Sequence, residues 1–162
     1  MDNPYIAEAQ ALLRKYYGYP DFRPAQRPVV ESLLSGADTL AIMPTGAGKS
    51  ICFQVPALVF PGVTLVISPL ISLMKDQVDA LQEQGVPATF INSQLTARES
   101  SQRLQAIAAG QYKLVYVAPE RLDTDYFQYI IEQQEISMVA VAVKADTRGR
   151  RGRPAIKGAI CR

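Results

Sequence analysis

Lysine followed by serine, at the end of a glycine-punctuated turn, is the pair in this sequence best suited to chemistry. Residues 43–50 read Met-Pro-Thr-Gly-Ala-Gly-Lys-Ser. Gly46 and Gly48 let the backbone curl so that successive N–H groups face inward, where they meet phosphate oxygens. Lys49 adds a point charge at the β- and γ-phosphates, and the Ser50 hydroxyl is a ligand for Mg2+. A helix opening at this lysine adds the favourable end of its dipole. The strict phosphate-loop pattern has glycine where Met43 stands. A Gly-rich turn that binds nothing is the plain alternative, but Lys-Ser at the mouth of a helix has no packing purpose.

Such a loop works only between a strand and a helix, and the surrounding sequence provides both. Thr39 to Met43 is a short apolar run of the buried-strand kind. Further runs lie at Val63 to Ile67, Ala88 to Ile91, Lys113 to Val117 and Ile136 to Val141. Continuous apolar strands indicate a parallel sheet covered on both faces. Helical segments alternate with them. Ile71 to Gln84 sets Met74, Val78 and Leu81 on one face, and Gly85 and Pro87 end it. Thr96 and Glu99 have capping-box spacing ahead of a helix that stops at Gly110. Before the first strand, Pro4 opens a helix carrying Ile6, Ala9, Leu12 and Leu13, broken by Gly18 and Pro20. A second helix is predicted from Pro24 to Leu34, with Gly36 as its stop. The expected fold is α/β: a doubly wound parallel sheet with a helical N-terminal lead-in.

Composition excludes several chemistries. The 162 residues contain no histidine, which removes Ser-His-Asp and Cys-His catalysis and most zinc sites. Two cysteines, Cys52 and Cys161, make no disulfide framework, so a reducing, cytoplasmic setting is expected. Cys52 reads as a small hydrophobe on the helix after the loop. No apolar run reaches membrane-spanning length and no secretory leader is recognisable, so no membrane partner is expected. Charge is uneven: residues 1–141 carry a net −4 and residues 142–162 a net +6. The expected organisation is a lead-in over 1–38, a nucleotide-binding α/β region over 39–141, and a basic tail over 142–162.

Three more segments carry a family resemblance. Phe22-Arg23-Pro24-Ala25-Gln26 lies about twenty residues before the phosphate loop. Ser68-Pro69-Leu70-Ile71-Ser72-Leu73-Met74-Lys75-Asp76-Gln77 follows the second strand, and Ala118-Pro119-Glu120-Arg121-Leu122 follows the fourth. In this order and spacing the four motifs resemble the RecQ family of superfamily-2 DNA helicases, over roughly residues 8–141. The resemblance implies a RecA-like domain that uses ATP and Mg2+ and acts on single-stranded or partly duplex DNA, unwinding 3′-5′ in repair and recombination. Gln26 matches the glutamine that reads the adenine edge, an amide suited to adenine's donor and acceptor. Arg23 and Arg27 match positions beside the base or phosphates. Thr45, Gly46, Ala47, Gly48, Lys49 and Ser50 match the phosphate and magnesium residues, with Lys49 the catalytic one. Ser68, Pro69 and Leu70 match a segment lying against the DNA strand, and Pro119, Glu120 and Arg121 match another. Asn92 and Ser93, after the third strand, suit a further backbone contact. Arg121 also reads as an ordinary surface arginine paired with Glu120. Tyr16, Tyr17 and Tyr19 read as adenine stackers or as core and rim. A metabolic phosphate-loop kinase is the weaker alternative, because FRPAQ and SPLISLMKDQ have no role there.

After Val141 the family continues Asp-Glu-Ala-His, whereas this chain reads Ala142-Val143-Lys144-Ala145-Asp146. The acids that hold magnesium and polarise water are therefore expected to be missing, and the motor domain to be incomplete. The tail has no apolar periodicity. A reading-frame shift near residue 142 is the favoured origin, with disorder expected. The alternative is a basic arm, since Arg151-Gly152-Arg153-Pro154 resembles the minor-groove core of an AT-hook. Two functional readings follow: an ATP-driven DNA helicase, or a nucleotide- and DNA-binding fragment without turnover.

Overall fold

A computed structural model describes residues 3–44, 46, 48–144 and 156–161. The chain divides into two compact units, one formed by residues 1–59 with 140–162 and the other by residues 60–139.

The first unit begins with α1 (Pro4–Tyr17). Asn3 caps it by accepting the Tyr5 N–H at 3.0 Å, and Gly18 ends it in the left-handed conformation. Ile6, Ala9 and Leu13 bury one stripe. Next comes α2 (Arg27–Leu34), three residues later than the sequence predicts. The N–H groups of Gln26 and Arg27 both bond to the Arg23 carbonyl, so Pro24 to Gln26 is spent on a turn. β1 (Thr39–Pro44) alternates, with Ala41 and Met43 buried and Leu40 and Ile42 exposed. α3 (Lys49–Val59) is almost wholly buried between Cys52 and Ala57 and packs on α1 and α2. The Tyr17 hydroxyl donates to Gln54 Oε1 of α3 at 2.9 Å.

In the second unit, β2 (Val63–Ile67), β3 (Ala88–Ile91) and β4 (Leu114–Val117) are parallel, with β4 central. The first residues of β5 (Ile136–Lys144) join on the β2 side. The N–H of Val63 donates to the Glu135 carbonyl and that of Gly62 to Ser137 Oγ, both at 2.8 Å, so β2 and β5 start at the same end. Val63, Leu65, Ile91, Val115 and Val117 form one core with Leu104 and Ile107 of α5 (Ala97–Ala108) and Phe127 and Ile130 of α6 (Asp125–Glu132). Those strand residues share one parity. The opposite parity (Thr64, Val66, Ala88, Leu114 and Tyr116) is just as buried, so both sheet faces are covered. Met74, Val78 and Leu81 are the buried stripe of α4 (Ile71–Glu83), which packs on β3. The capping box at Thr96 and Glu99 forms as the spacing predicts. The α/β class with a parallel sheet stands.

Three differences from the sequence reading matter. No element was expected between Leu122 and Ile136, where α6 lies. β5 runs on to Lys144, past the strand end read at Val141. And Ile156–Cys161 of the basic tail, for which no element was expected, forms β6 in the first unit. β6 is antiparallel to β1, with Thr39 opposite Cys161 and Pro44 opposite Ile156, and antiparallel to the end of β5, with Ala140 also opposite Cys161. A strand pairs through main-chain groups, which is why a segment without apolar periodicity can take this place. The AT-hook-like Arg151 to Pro154 and Asp146 lie outside the described residues.

Candidate functional site

The phosphate loop lies in the first unit, between the end of β1 and the start of α3. Gly46 and Gly48 have φ of 84° and 74°, the left-handed region that a side chain resists. A Cβ on Gly46 would meet nothing within 4 Å, so that side of the loop is open space. A Cβ on Gly48 would sit 2.3 Å from Gln26 Nε2. Lys49 is the first residue of α3. Its ammonium donates to the Met43 carbonyl at 3.3 Å. Ser50 follows in the first turn, half-buried. Thr45 and Ala47 lie outside the described residues.

The Phe-Arg-Pro-Ala-Gln segment closes on this loop. Arg23 Nη1 donates to the Gly46 carbonyl at 2.9 Å. Gln26 is 2% exposed; its Nε2 donates to the Gly48 carbonyl at 3.1 Å and its Oε1 accepts the Arg23 N–H at 2.8 Å. The amide expected to face a base is thus turned into the backbone here. Arg27 is not brought to the loop: its partners are Glu31, at 2.8 Å one helical turn on, and Asp21 at 3.9 Å. The Asp21 carboxyl is held below its ordinary range by the Gln10 side chain and the Phe22 N–H, with Arg27 adding to the effect. The tyrosines separate. Tyr16 lies under the Lys15 ammonium at 4.9 Å, Tyr17 ties α1 to α3, and Tyr19 is exposed. Sequence reasoning missed the part played by two residues. The Met43 carbonyl parks the lysine, and the buried Cys52 thiol sits 3.8 Å from both Met43 Sδ and the Gly48 carbonyl. Main-chain oxygens leave no signal in a sequence.

The fit to a nucleotide is good on this geometry: an open glycine, the start of a helix, and a lysine beside them. Among the described residues no group of three acids, cysteines or histidines that could hold a metal is found.

In the second unit the other motifs meet at the C-terminal end of the parallel sheet. Ile67, Val117 and Ile91 are register partners, so the chain leaves β2, β4 and β3 at one level, at Ser68, Ala118 and Asn92. That edge is where open α/β sheets bind ligands. The Ser68 N–H bonds to the Val117 carbonyl at 3.2 Å and the Ala118 N–H to the Ile91 carbonyl at 3.1 Å. Pro69, Ser93, Pro119 and Glu120 are exposed, and Leu70 and Arg121 half-buried. Pro119–Arg121 forms a single 3-10 turn.

Two residues read as strand contacts are instead internal. Asn92 is fully buried; its Oδ1 accepts the Gln94 N–H at 2.9 Å and its Nδ2 points to Met74 Sδ at 3.6 Å. Ser68 is buried, and its hydroxyl accepts the Leu70 N–H at 3.2 Å. Both shape the loops rather than face outward, because short polar side chains bond most readily to nearby main chain. Arg121 reaches back towards the Asn92 carbonyl at 3.5 Å, and no ion pair joins it to Glu120 among the described residues. No helix among them is long and apolar enough to cross a membrane.

Residues 23–143 match the sequence profile of the DEAD/DEAH box helicases. The chain is 49% identical over 137 residues to the ATP-dependent DNA helicase RecQ of Bacillus subtilis, covering 84% of this chain and 23% of that protein. It is 44% identical over 147 residues to RecQ of Haemophilus influenzae, covering 87% and 24%. With the ATP-dependent DNA helicase Q-like 5 of Arabidopsis thaliana it shares 37% over 131 residues, covering 80% and 14%. The chain spans about a quarter of the length of its bacterial relatives.

Proposed function

Because the chain belongs to the DEAD/DEAH box helicase family, we propose that it supplies the nucleotide grip and part of the strand track of a RecQ-type DNA helicase, driven by ATP and Mg2+. The observation that carries this is the pair of left-handed glycines directly before a helix that opens on Lys49. Inward N–H groups and the Lys49 charge bind the phosphates, and Ser50 completes the magnesium shell. Arg23 and Gln26 border the nucleotide, and Gln26 has the groups to select adenine. Single-stranded or partly duplex DNA lies along the sheet edge, touched by Pro69, Leu70, Ser93, Pro119, Glu120 and Arg121. Unwinding with 3′-5′ polarity in repair and recombination is the activity of the whole enzyme on this reading. Lys49→Ala is expected to weaken Mg-ATP binding by about 1–3 kcal/mol, the scale of a lost charge-assisted contact. Calorimetry with the Lys49→Ala protein matching the unaltered chain would refute the assignment.

A second reading concerns turnover by this chain alone. Ala142 and Val143 stand where the resemblance implies an Asp-Glu pair. Binding survives that change better than catalysis, because the loop grips ground-state phosphates while the acids act on the transition state. The chain is expected to bind ATP with little or no hydrolysis. Phosphate release with single-stranded DNA is the measurement, with Lys49→Ala as the control for contamination. Turnover of about 1 s−1 or more that disappears in the control contradicts the reading.

A further inference from the structure

We propose that β6 is the support that holds β1, and with it the phosphate loop, in place, so that nucleotide binding depends on a tail segment outside the four motifs. The nucleotide part of the inference rests on the proposed reading of that loop. β1 is the last strand of its sheet, and among the described residues β6 is its only strand neighbour. Every residue of β1 has a register partner in β6, from Thr39 opposite Cys161 to Pro44 opposite Ile156. On its other edge β6 pairs with Ala140 to Lys144 of β5, which belong to the same unit. Both pairings are antiparallel, so β1 and this end of β5 run parallel to each other, with Thr39 and Ala140 level across the same Cys161. Two strand spacings put them about 10 Å apart, too far for a main-chain hydrogen bond. β6 is thus the main-chain connection between them.

Packing holds β1 from one face only. Ala41 and Met43 lie against Cys52 and Val29, whereas Leu40 and Ile42 on the opposite face are 64% and 61% exposed. A strand without its ladder keeps little but that one face, and segments with few buried contacts open most readily. The phosphate loop begins where β1 ends, since Pro44 is opposite Ile156 and Gly46 is two residues on. The Met43 carbonyl, which accepts from the Lys49 ammonium at 3.3 Å, belongs to the residue opposite Lys157. Displacing β1 therefore moves both the entry to the loop and the oxygen beside its lysine. The ladder is built from N–H and C=O groups that every residue but proline carries, so proline separates the strand's pairing from its charge.

The test uses the full chain with Ala159→Pro, in the middle of β6 and opposite both Ala41 and Ala142. β6 is paired on both sides, so the missing N–H removes a ladder bond whichever way it pointed. Ala159→Ser keeps the N–H and is the control. Hydrogen exchange of ligand-free protein should speed up about tenfold or more at the alternate β1 amides turned to β6, while β3 amides keep their rates. Calorimetry should find Mg-ATP bound about threefold or more weakly by Ala159→Pro and unchanged for Ala159→Ser. If Ala159→Pro unfolds the whole chain, β3 and β4 lose protection as well. Lys157→Pro, near the start of β6, then confines the change to Ile42 and Met43. Unaltered β1 amides in the proline variants overturn the proposal. Faster β1 exchange with unaltered Mg-ATP affinity also overturns it, because the support then does not reach the loop. If the unaltered chain does not bind Mg-ATP, the nucleotide-binding reading itself fails, and the exchange rates still decide whether β6 holds β1.

Discussion

The two loop glycines differ in one measurable respect. Both have positive φ, so alanine at either position incurs the left-handed strain, about 1–2 kcal/mol. At Gly46 nothing else lies within 4 Å of the added Cβ. At Gly48 the Cβ meets Gln26 Nε2 at 2.3 Å, and the amide must swing away. That breaks its bond to the Gly48 carbonyl, a further cost of about 1–3 kcal/mol. Gly46→Ala should therefore destabilise the first unit by about 1–2 kcal/mol and Gly48→Ala by about 2–5 kcal/mol. The chain has no tryptophan to report locally, so hydrogen exchange of the α3 amides in ligand-free protein is the assay. Combining Gly48→Ala with Gln26→Ala completes a cycle in which the excess cost at Gly48 should vanish. Equal losses for the two single variants, or an excess that survives without Gln26, would refute the contact as the cause.

Two other expectations follow from charge. Changing Arg148, Arg150, Arg151 and Arg153 to Gln lowers the charge of a tail that is +6, beside a remainder that is −4, so the salt dependence of DNA binding should flatten; an unchanged slope assigns the affinity to the Pro69 and Arg121 loops. The Glu99 carboxyl is held below its ordinary range, first by the Thr96 N–H and then by the Thr96 side chain. Its contribution to α5 is therefore full above the unfolded value, about 4.3, and is lost as pH falls through the lower folded value. The excess protection of α5 amides over a Glu99→Ala variant should fade on acidification, and a gap constant from neutral pH to pH 3 refutes the link.

Much of the fold was legible because the strands are short apolar runs that end in glycine, proline or a cap. β2, β3, the buried stripe of α4 and the capping box of α5 appear where the sequence puts them. α6 was not legible. Its aromatic and β-branched content argues for a strand locally, and the helix is decided by Phe127 and Ile130 reaching the core while Tyr126 and Tyr129 stay outside. β6 was hidden for a different reason, since main-chain pairing needs no pattern. At the candidate site, spacing identified the loop but not its supports. That Gln26 bonds to a carbonyl, and that Asn92 is buried, depend on which way a side chain turns, and residue type does not encode that.

The common level at which β2, β4 and β3 release their chains has a consequence for length. Neighbouring strands lie about 4.8 Å apart, so three loops across two gaps make an edge only about 10 Å wide. Nucleotides in a stacked strand advance about 3.4 Å each. On the proposed reading, a strand crossing this edge is therefore touched over about three nucleotides. On the proposed reading the grip spans only a few nucleotides, and movement of a whole enzyme along DNA would depend on handing them to another surface before letting go.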